Sequence, residues 1–516
     1  MLKRLLLATT ALFLLFAGPA NAGPLLGGIG ALVGGLSSAA GLGSLAIGIA
    51  SMGVQWLISK MLTPEPKQRG IKDKIEIGGD VPPTFIVGEY ATPGHLVYRN
   101  TLDKGSNIPE ACLVDVICLG VLPYESVSAK VFINNEGCHM DVSGPTYNGF
   151  YSIEEYVKGG DDGGYCLMKI HHGDQTNADS WLLDKFGGDD DRPWSNDMFL
   201  PGCTYVIVQS WYSNKGIWSG WPTFRFVVQG IKLYDPRKDT SVGGSGSHRW
   251  DHPNTYEFTK NPKVIEYNII RGIWWDGKHQ WGGKADAYRL PLEYWFAAMN
   301  ACDENVTKKN DDIINRYEIG AEISFGDKPI EIINEINKSC NGYTTEFGGT
   351  YKTWVGGPGL SVATITDDDF IITEDKETSR FQTQQQTFNT CYTTYPEPRQ
   401  QWEVNDGPRY QDGDAVDEDG EELPLDLALP FVSENNQAQR LARAAIKDSR
   451  RQLTHTGQLP PIAWLYEPFD RITYMSDDFG YGEDGKAFML ASKDDMPNVN
   501  QLVTLREIDS DDLGWL

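Results

Sequence analysis

The sequence predicts an α+β, mainly β chain of several domains, with small β-barrel-like units and a hydrophobic segment at its start. Three observations carry this. At 516 residues the chain is long enough for about three domains of roughly 150 residues each. From Thr84 onward most apolar runs are short, rich in β-branched and aromatic residues, and bounded by Gly, Pro, Asn or Asp, as strands are. The few stretches that space their apolar residues as helices do all lie beyond residue 260.

The first element is the start itself, residues 1–62. MLKRLLLATTALFLLFAGPANA has the parts of a secretory signal: Lys3 and Arg4, the apolar run Leu5 to Phe16, and the small-residue site Ala20-Asn21-Ala22. A second apolar tract, Gly23 to Leu62, follows with Lys60 as its one charge. It is long enough to cross a bilayer with a hydrocarbon core of about 30 Å. Its glycines each cost about 1 kcal/mol of helix propensity in water, so it does not suit an isolated soluble helix. Burial against other chains in a large assembly is the other reading. Residues 63–83, beginning TPEPKQRG, form a polar linker punctuated by Pro and Gly.

A mostly β domain is expected over 84–240, where ACLVDVICLGVL, SAKVFINNEG, CTYVIVQSWY and TFRFVVQGIKLY read as strands around an acidic excursion, KFGGDDDRPWSND. An α+β domain follows over 241–375. Asn261 caps and Pro262 opens a helix through NPKVIEYNIIRGI; LPLEYWFAAMNACDE and KPIEIINEINKSC read as two more, the latter stopped at Asn341-Gly342. YTTEFGGTYKTWVG then turns at Gly348-Gly349 as a hairpin does. Over 376–516 the expectation is strands, an acidic connecting loop (DGDAVDEDGEE), one helix capped by Ser433, and a closing small β-barrel.

Charge limits the function. The net charge is −26, and because the first 64 residues are basic the remainder holds −29. Nucleic-acid binding rewards clustered Lys and Arg, so sequence-specific binding of this kind is not expected. Eight cysteines include no C-x-x-C pair, which leaves zinc ribbons and thioredoxin-type chemistry unsupported. Cys112 and Cys118 share one predicted strand, where six residues span about 20 Å, too far for a bridge. Free thiols are the expectation.

No catalytic, cofactor or metal residue emerges. Asp417, Asp419, Gly420 and Asp426 fit part of a calcium loop, but Ala415 falls at the first ligand position. His171, His172 and Asp174 form one histidine grouping and His248 and His252 another, the latter in a loop that does not place two rings on one helical face. Cys138 and His139 are neighbours on a strand and point to opposite faces. WYSNKGIWSGWP and GIWWDGKHQWGG offer tryptophans for stacking on sugars, with Asp276 as a nearby carboxylate, yet such aromatics serve packing more often. The expectation is a protein that is not an enzyme and has no cofactor.

The order of several segments resembles the tail hub, or tail-tip, proteins of long-tailed bacteriophages and gene transfer agents, the group that includes the host-specificity protein of lambda-like phages. These segments are VVQGIKLYDPRKD (227–239), HRWDHPNTYEFTKNPKVIEYNIIRGI (248–273), the stretch from Arg316 to Gly359, ITDDDFIIT (365–373), NNQAQRLARAAI (435–446) and VTLREID (503–509). Lys263 departs from the pattern by replacing a small or apolar residue after the proline. The resemblance implies a homotrimeric structural virion protein at the distal tail tip, assembled in the host cytoplasm. It would link tail tube and distal ring to fibres or receptor-binding proteins and gate DNA ejection, with genome DNA passing its lumen. The chain stops at Leu516, just past the expected barrel, so another protein is expected to supply receptor binding. Residues 1–62 are then expected to be kept and to contact the host membrane. Two rivals stand beside this: an exported cell-envelope binding protein, periplasmic or secreted if the signal is real, and an envelope glycosidase.

Overall fold

Two sheets packed face to face fill the first half of the described chain. The computed structural model describes residues 76–77, 82–103, 111–157, 164–212, 217–218, 220–308, 311–356, 359–380 and 387–509. The signal-like and glycine-rich segments, and most of the 63–83 linker, lie outside these residues. One sheet runs in the order β1 (Glu76–Ile77), β3 (His95–Leu102), β4 (Cys112–Gly120), β9 (Thr204–Trp211), β8 (Cys166–His172), β7 (Tyr151–Ser152). The other runs β15 (Gly320–Ser324), β2 (Thr84–Thr92), β10 (Phe224–Ile231), β5 (Tyr124–Ile133), β6 (Glu136–His139). The run ACLVDVICLG is apolar on both faces because both are covered. Ile117 and Leu119 join the core between the sheets, while Val114 and Val116 meet Trp181, Leu182 and Phe186 of the helix α1 (Ser180–Phe186). Asp115 interrupts the run and is matched by Arg99, its cross-strand partner, in a two-pronged contact of 2.6 and 2.8 Å.

Helix α2 (Pro262–Arg271) begins as expected, with the Asn261 side chain accepting from the backbone N–H groups of Lys263 and Val264. All ten of its residues are buried, although four are polar or charged. The hairpin β11 (Ile273–Trp275) and β12 (Lys278–Trp281) follows, then α3 (Leu292–Cys302), the hairpin β13 (Asn305–Thr307) and β14 (Ile313–Asn315), and α4 (Pro329–Ser339) after β15. Strands β16 (Gly342–Phe347) and β17 (Thr350–Val355) turn at Gly348-Gly349, both with positive φ, as the sequence predicts.

Within α2 the Lys263 ammonium lies 2.7 Å from the Glu266 carboxylate, both side chains fully buried. Asn337 of α4 accepts from Lys263 at 2.5 Å and donates to Glu266 at 3.3 Å, and Thr344 of β16 bonds both charges. This network, built around Lys263, fastens α2 to α4 and the hairpin.

In the last region β20 (Thr390–Glu397) pairs with β21 (Glu403–Asp406), β22 (Tyr410–Gln411) and β23 (Pro424–Ala428). Helix α6 (Asn435–Ser449) covers this sheet through Ala438, Leu441, Ala442 and Ile446. The final sheet runs β18 (Ala363–Thr366), β25 (Arg471–Met475), β26 (Lys486–Asp495), β27 (Gln501–Glu507), β24 (Thr454–Leu459), β19 (Glu377–Ser379).

The structure corrects three expectations. The closing barrel stays open, because the short edge strands β18 and β19 pair only with β25 and β24 and not with each other. The acidic loop contains a helix, α5 (Gly413–Asp419), capped by Asp412 and ended by Gly420 in the left-handed conformation. Ser433 does not cap α6: the cap position falls on Glu434, which makes no capping bond and instead pairs with Lys308 at 2.9 Å.

Two tests follow from this packing. Lys263→Met leaves a buried carboxylate unpaired and is expected to lower stability by about 3–5 kcal/mol, whereas Lys263→Met with Glu266→Leu recovers most of it; urea unfolding midpoints decide. The second concerns His455 on β24, fully buried between Thr378 (2.8 Å) and the Tyr481 hydroxyl (2.7 Å). Burial, with help from Lys376, pushes its imidazole down to about 4, against about 6.5 in an unfolded chain. The unfolded chain therefore takes up a proton that the folded one refuses, so this stability is present above pH 6.5 and is lost as pH falls toward 4. Asp367 acts in a lower window: although burial opposes it, hydrogen bonds from Tyr474, Ser476 and Lys376 hold its carboxyl at about 2, so its stability is lost only below about pH 3.9. Unfolding midpoints measured against pH should lose the upper slope, and keep the lower one, in His455→Gln.

Candidate functional site

The segment from Tyr234 to Tyr256 is shaped by its own side chains. Asn268 of α2 exchanges both backbone hydrogen bonds with Tyr234, at 3.2 and 2.8 Å, as a paired strand would. Asp235 and Asp239 each cap a short 3-10 turn. Asp235 also holds Arg237, which reaches Asp303 at 2.8 Å, and Asp239 accepts from the Tyr234 hydroxyl at 2.8 Å and from Arg249 at 3.1 Å. His248 is buried and its Nδ1 accepts the Asp235 N–H at 3.0 Å, while His252 is exposed at the head of the next turn. The two histidines thus serve different loop contacts and do not face one metal.

These turns end against Arg271. Its guanidinium lies 4.5 Å from the Trp250 ring and 5.5 Å from those of Tyr234 and Tyr256. It donates to the Tyr256 hydroxyl at 2.7 Å and to the Trp250 carbonyl.

Immediately after Arg271 and Gly272 comes the β11–β12 hairpin. Asp276-Gly277 turns it with φ of 50° and 69°, the two left-handed positions that favour Asp-Gly in a two-residue hairpin. The hairpin projects Trp274, Trp275 and Asp276 over the loop end of the sandwich, forming a half-open cleft of about 990 Å³. Its lining also includes Leu122–Glu125, His172–Thr176 and Gly202 from the sandwich loops, with Asn254, Tyr256 and Arg271. Trp274, Tyr256 and Arg271 also border a second cleft of about 490 Å³, beside Trp250 and Asp286. Gly202 (φ 76°) lets Trp275 approach: a Cβ there would stand 2.7 Å from the indole.

The cleft gathers three residues noted in the sequence, His172, Asp174 and Asp276. His171 goes elsewhere. It bonds Asp179 at 3.0 Å, as does Lys169 at 2.6 Å, while the other Asp179 oxygen caps α1. Burial alone would raise the Asp179 carboxyl, but His171, Lys169 and the helix N–H bring it down to about 2. Sequence reasoning missed both α1 and this anchor; the signal was Asp179 as a cap ahead of Trp181, Leu182 and Phe186.

The other candidates disperse. Cys138 is buried, with its thiol pushed up to about 11 by burial, whereas His139 points outward to Glu155. Asp412 pairs with Lys447, and Asp419 with Arg450 and Asn389, so these carboxylates of the acidic segment are taken up by partners elsewhere in the chain. Among the tryptophans, Trp218 stacks on Tyr156 at 4.8 Å, Trp221 lies under Arg99, and Trp281 is buried against Phe85. All eight cysteines are thiols. Among the described residues no three His, Cys, Asp or Glu side chains gather as a metal site, and no helix is long and apolar enough to cross a membrane.

Residues 328–487 match the family described as putative phage tail protein. No curated protein sequence matches the chain. Among solved structures, a chain from the virion of a native gene transfer agent particle is similar at 14% identity with a TM-score of 0.58, covering 96% of this chain and 98% of that one. The 43 kDa tail protein of prophage MuSo2 from Shewanella oneidensis is matched at 10% identity, TM-score 0.29, covering 83% of this chain and 100% of that one. The prophage tail protein gp18 from Listeria monocytogenes is matched at 10% identity, TM-score 0.23, over 38% and 56%. The chain therefore carries a phage-tail protein domain and shares its overall fold with a virion component.

The seat of Trp275 gives a direct test. Gly202→Ala meets both a left-handed backbone and the indole, and is expected to destabilise by about 1–3 kcal/mol. A lowered unfolding midpoint, with a shifted tryptophan emission maximum, would bear this out.

Proposed function

We propose that this chain is the central hub at the distal end of a long phage-type tail. In this reading a homotrimer joins the tail tube and distal ring to fibres or receptor-binding proteins and gates DNA ejection, after assembly in the host cytoplasm. The observation that carries it is the fold, shared along nearly the whole of both chains with a gene transfer agent virion chain and joined to a phage-tail domain match over residues 328–487. The acidic balance supports it as well, because DNA passing an anionic lumen is not retained by counterion release.

Residues 1–62 are part of the proposal. The segment stays on the chain, shielded within the tail tip, and reaches the host membrane on ejection; a segment that remains protease-protected and free of lipid after ejection would defeat this. The signal-like start favours a second reading, an exported envelope-binding protein. Mass spectrometry of the N-terminal peptide separates the two. The hub predicts Met1 or Leu2 in purified tail particles and, for the isolated protein, a light-scattering mass three times that of the chain. Export predicts a chain starting at Gly23 in the periplasm and absent from particles.

A further inference from the structure

We infer that the cleft beneath the β11–β12 hairpin is a binding site for a neutral saccharide. A pyranose ring has an apolar C–H face and a rim of hydroxyls, so its sites combine an aromatic platform with polar groups that have hydrogen bonds to give. The cleft supplies both. Trp274 is 42% exposed and borders two clefts, and Trp275, the next residue of the hairpin, lines the first of them from its seat on Gly202. The Asp276-Gly277 turn leaves both rings on a tight hairpin, which limits the entropy lost when a ligand docks.

The polar rim is equally specific. Gln175 is spent on the Gly173 N–H and on the carbonyls of Leu200 and Cys203, and Lys232 is paired with Glu125 at 2.7 Å. Asp174, Asn254 and Asp276 line the cleft, are exposed, and make no side-chain hydrogen bond to the described residues. Two carboxylates facing one arginine leave the cleft slightly negative, which disfavours phosphate or polyanionic ligands. Carboxylates accept from sugar hydroxyls and an amide both accepts and donates, while Arg271, spent on the Trp250 carbonyl and the Tyr256 hydroxyl, holds the wall behind them. The inference concerns a different part of the chain from the 328–487 match and does not depend on tail assembly.

The test titrates the full-length chain with neutral oligosaccharides (tetramers of N-acetylglucosamine, glucose in α and β linkage, and galactose), with inorganic polyphosphate as the anionic control, reading tryptophan fluorescence and calorimetric heat. Saturable binding of at least one oligosaccharide is expected. Trp274→Ala and Trp275→Ala should each weaken it at least tenfold and Asp276→Asn severalfold, with Trp274→Phe retaining most of it. Trp464→Ala, which alters an exposed tryptophan elsewhere, should leave it unchanged. Near-UV circular dichroism confirms that each variant is folded. No saturable binding across the panel, polyphosphate binding in place of sugar, or full affinity in a folded Trp274→Ala/Trp275→Ala variant would overturn the assignment. Because the readout is binding by the isolated chain, failure here leaves the hub reading standing, and absence from tail particles would not touch the site.

Discussion

A lysine and a glutamate one helical turn apart, both sealed from water, set the terms for the middle of this protein. Removing two such charges from solvent costs several kcal/mol each, and the cost is offset only when every donor and acceptor around them is used. Here Asn337 and Thr344 complete the set, and Gly342 must lack a side chain because a Cβ would stand 2.8 Å from the Lys263 nitrogen. The helix is thereby fixed in register, and its other polar residues act at a distance. Asn261 donates to the Met299 carbonyl of α3, Asn268 holds Tyr234 at the end of the sandwich, and Arg271 organises the aromatic wall of the cleft. One buried helix thus passes the position of a hidden ion pair out to a surface opening.

Much of this was legible in the sequence wherever the information is local. Asn261-Pro262 announced the start of α2, and Gly348-Gly349 the hairpin, because capping and turn formation need only a few adjacent residues. The strand run at Cys112–Gly120 was equally plain, since a doubly covered strand is apolar throughout. What escaped was set by distant partners. The helix in the acidic run after Asp412 is met by Lys447 in the last turn of α6 and by Arg450 just past its end, partners that lie some thirty residues away in the sequence. Whether the last sheet closes depended on which strands Ala363–Thr366 and Glu377–Ser379 would find. His171 and His172, adjacent in sequence, parted because one side of the strand faces Asp179 and the other the cleft. The tryptophans could not be sorted into packing and exposed sets until the elements beneath them were placed.

The division between scaffold and site follows the chain. The matched phage-tail span runs from just before α4 into β26, and so contains the hairpin over the ion pair, the four-stranded sheet and most of the final one. The cleft is built from residues 122–276, before that span begins. Loops at the end of a rigid sandwich tolerate change more readily than the strands they join, so one framework can carry different surface chemistry at this point.

The strand at Gly320–Ser324 has one further consequence. It forms the edge of the sheet whose next strand is Thr84–Thr92, with Glu322 reaching across to Thr84 more than two hundred residues earlier in the chain. During synthesis, at about 5–20 residues per second, the amino-terminal sandwich must wait many seconds with that edge unpaired. Such long-range closure is slow, and an open strand edge invites pairing with other chains. Until Gly320–Ser324 arrives, the Thr84–Thr92 edge is a place where one nascent chain could pair with another.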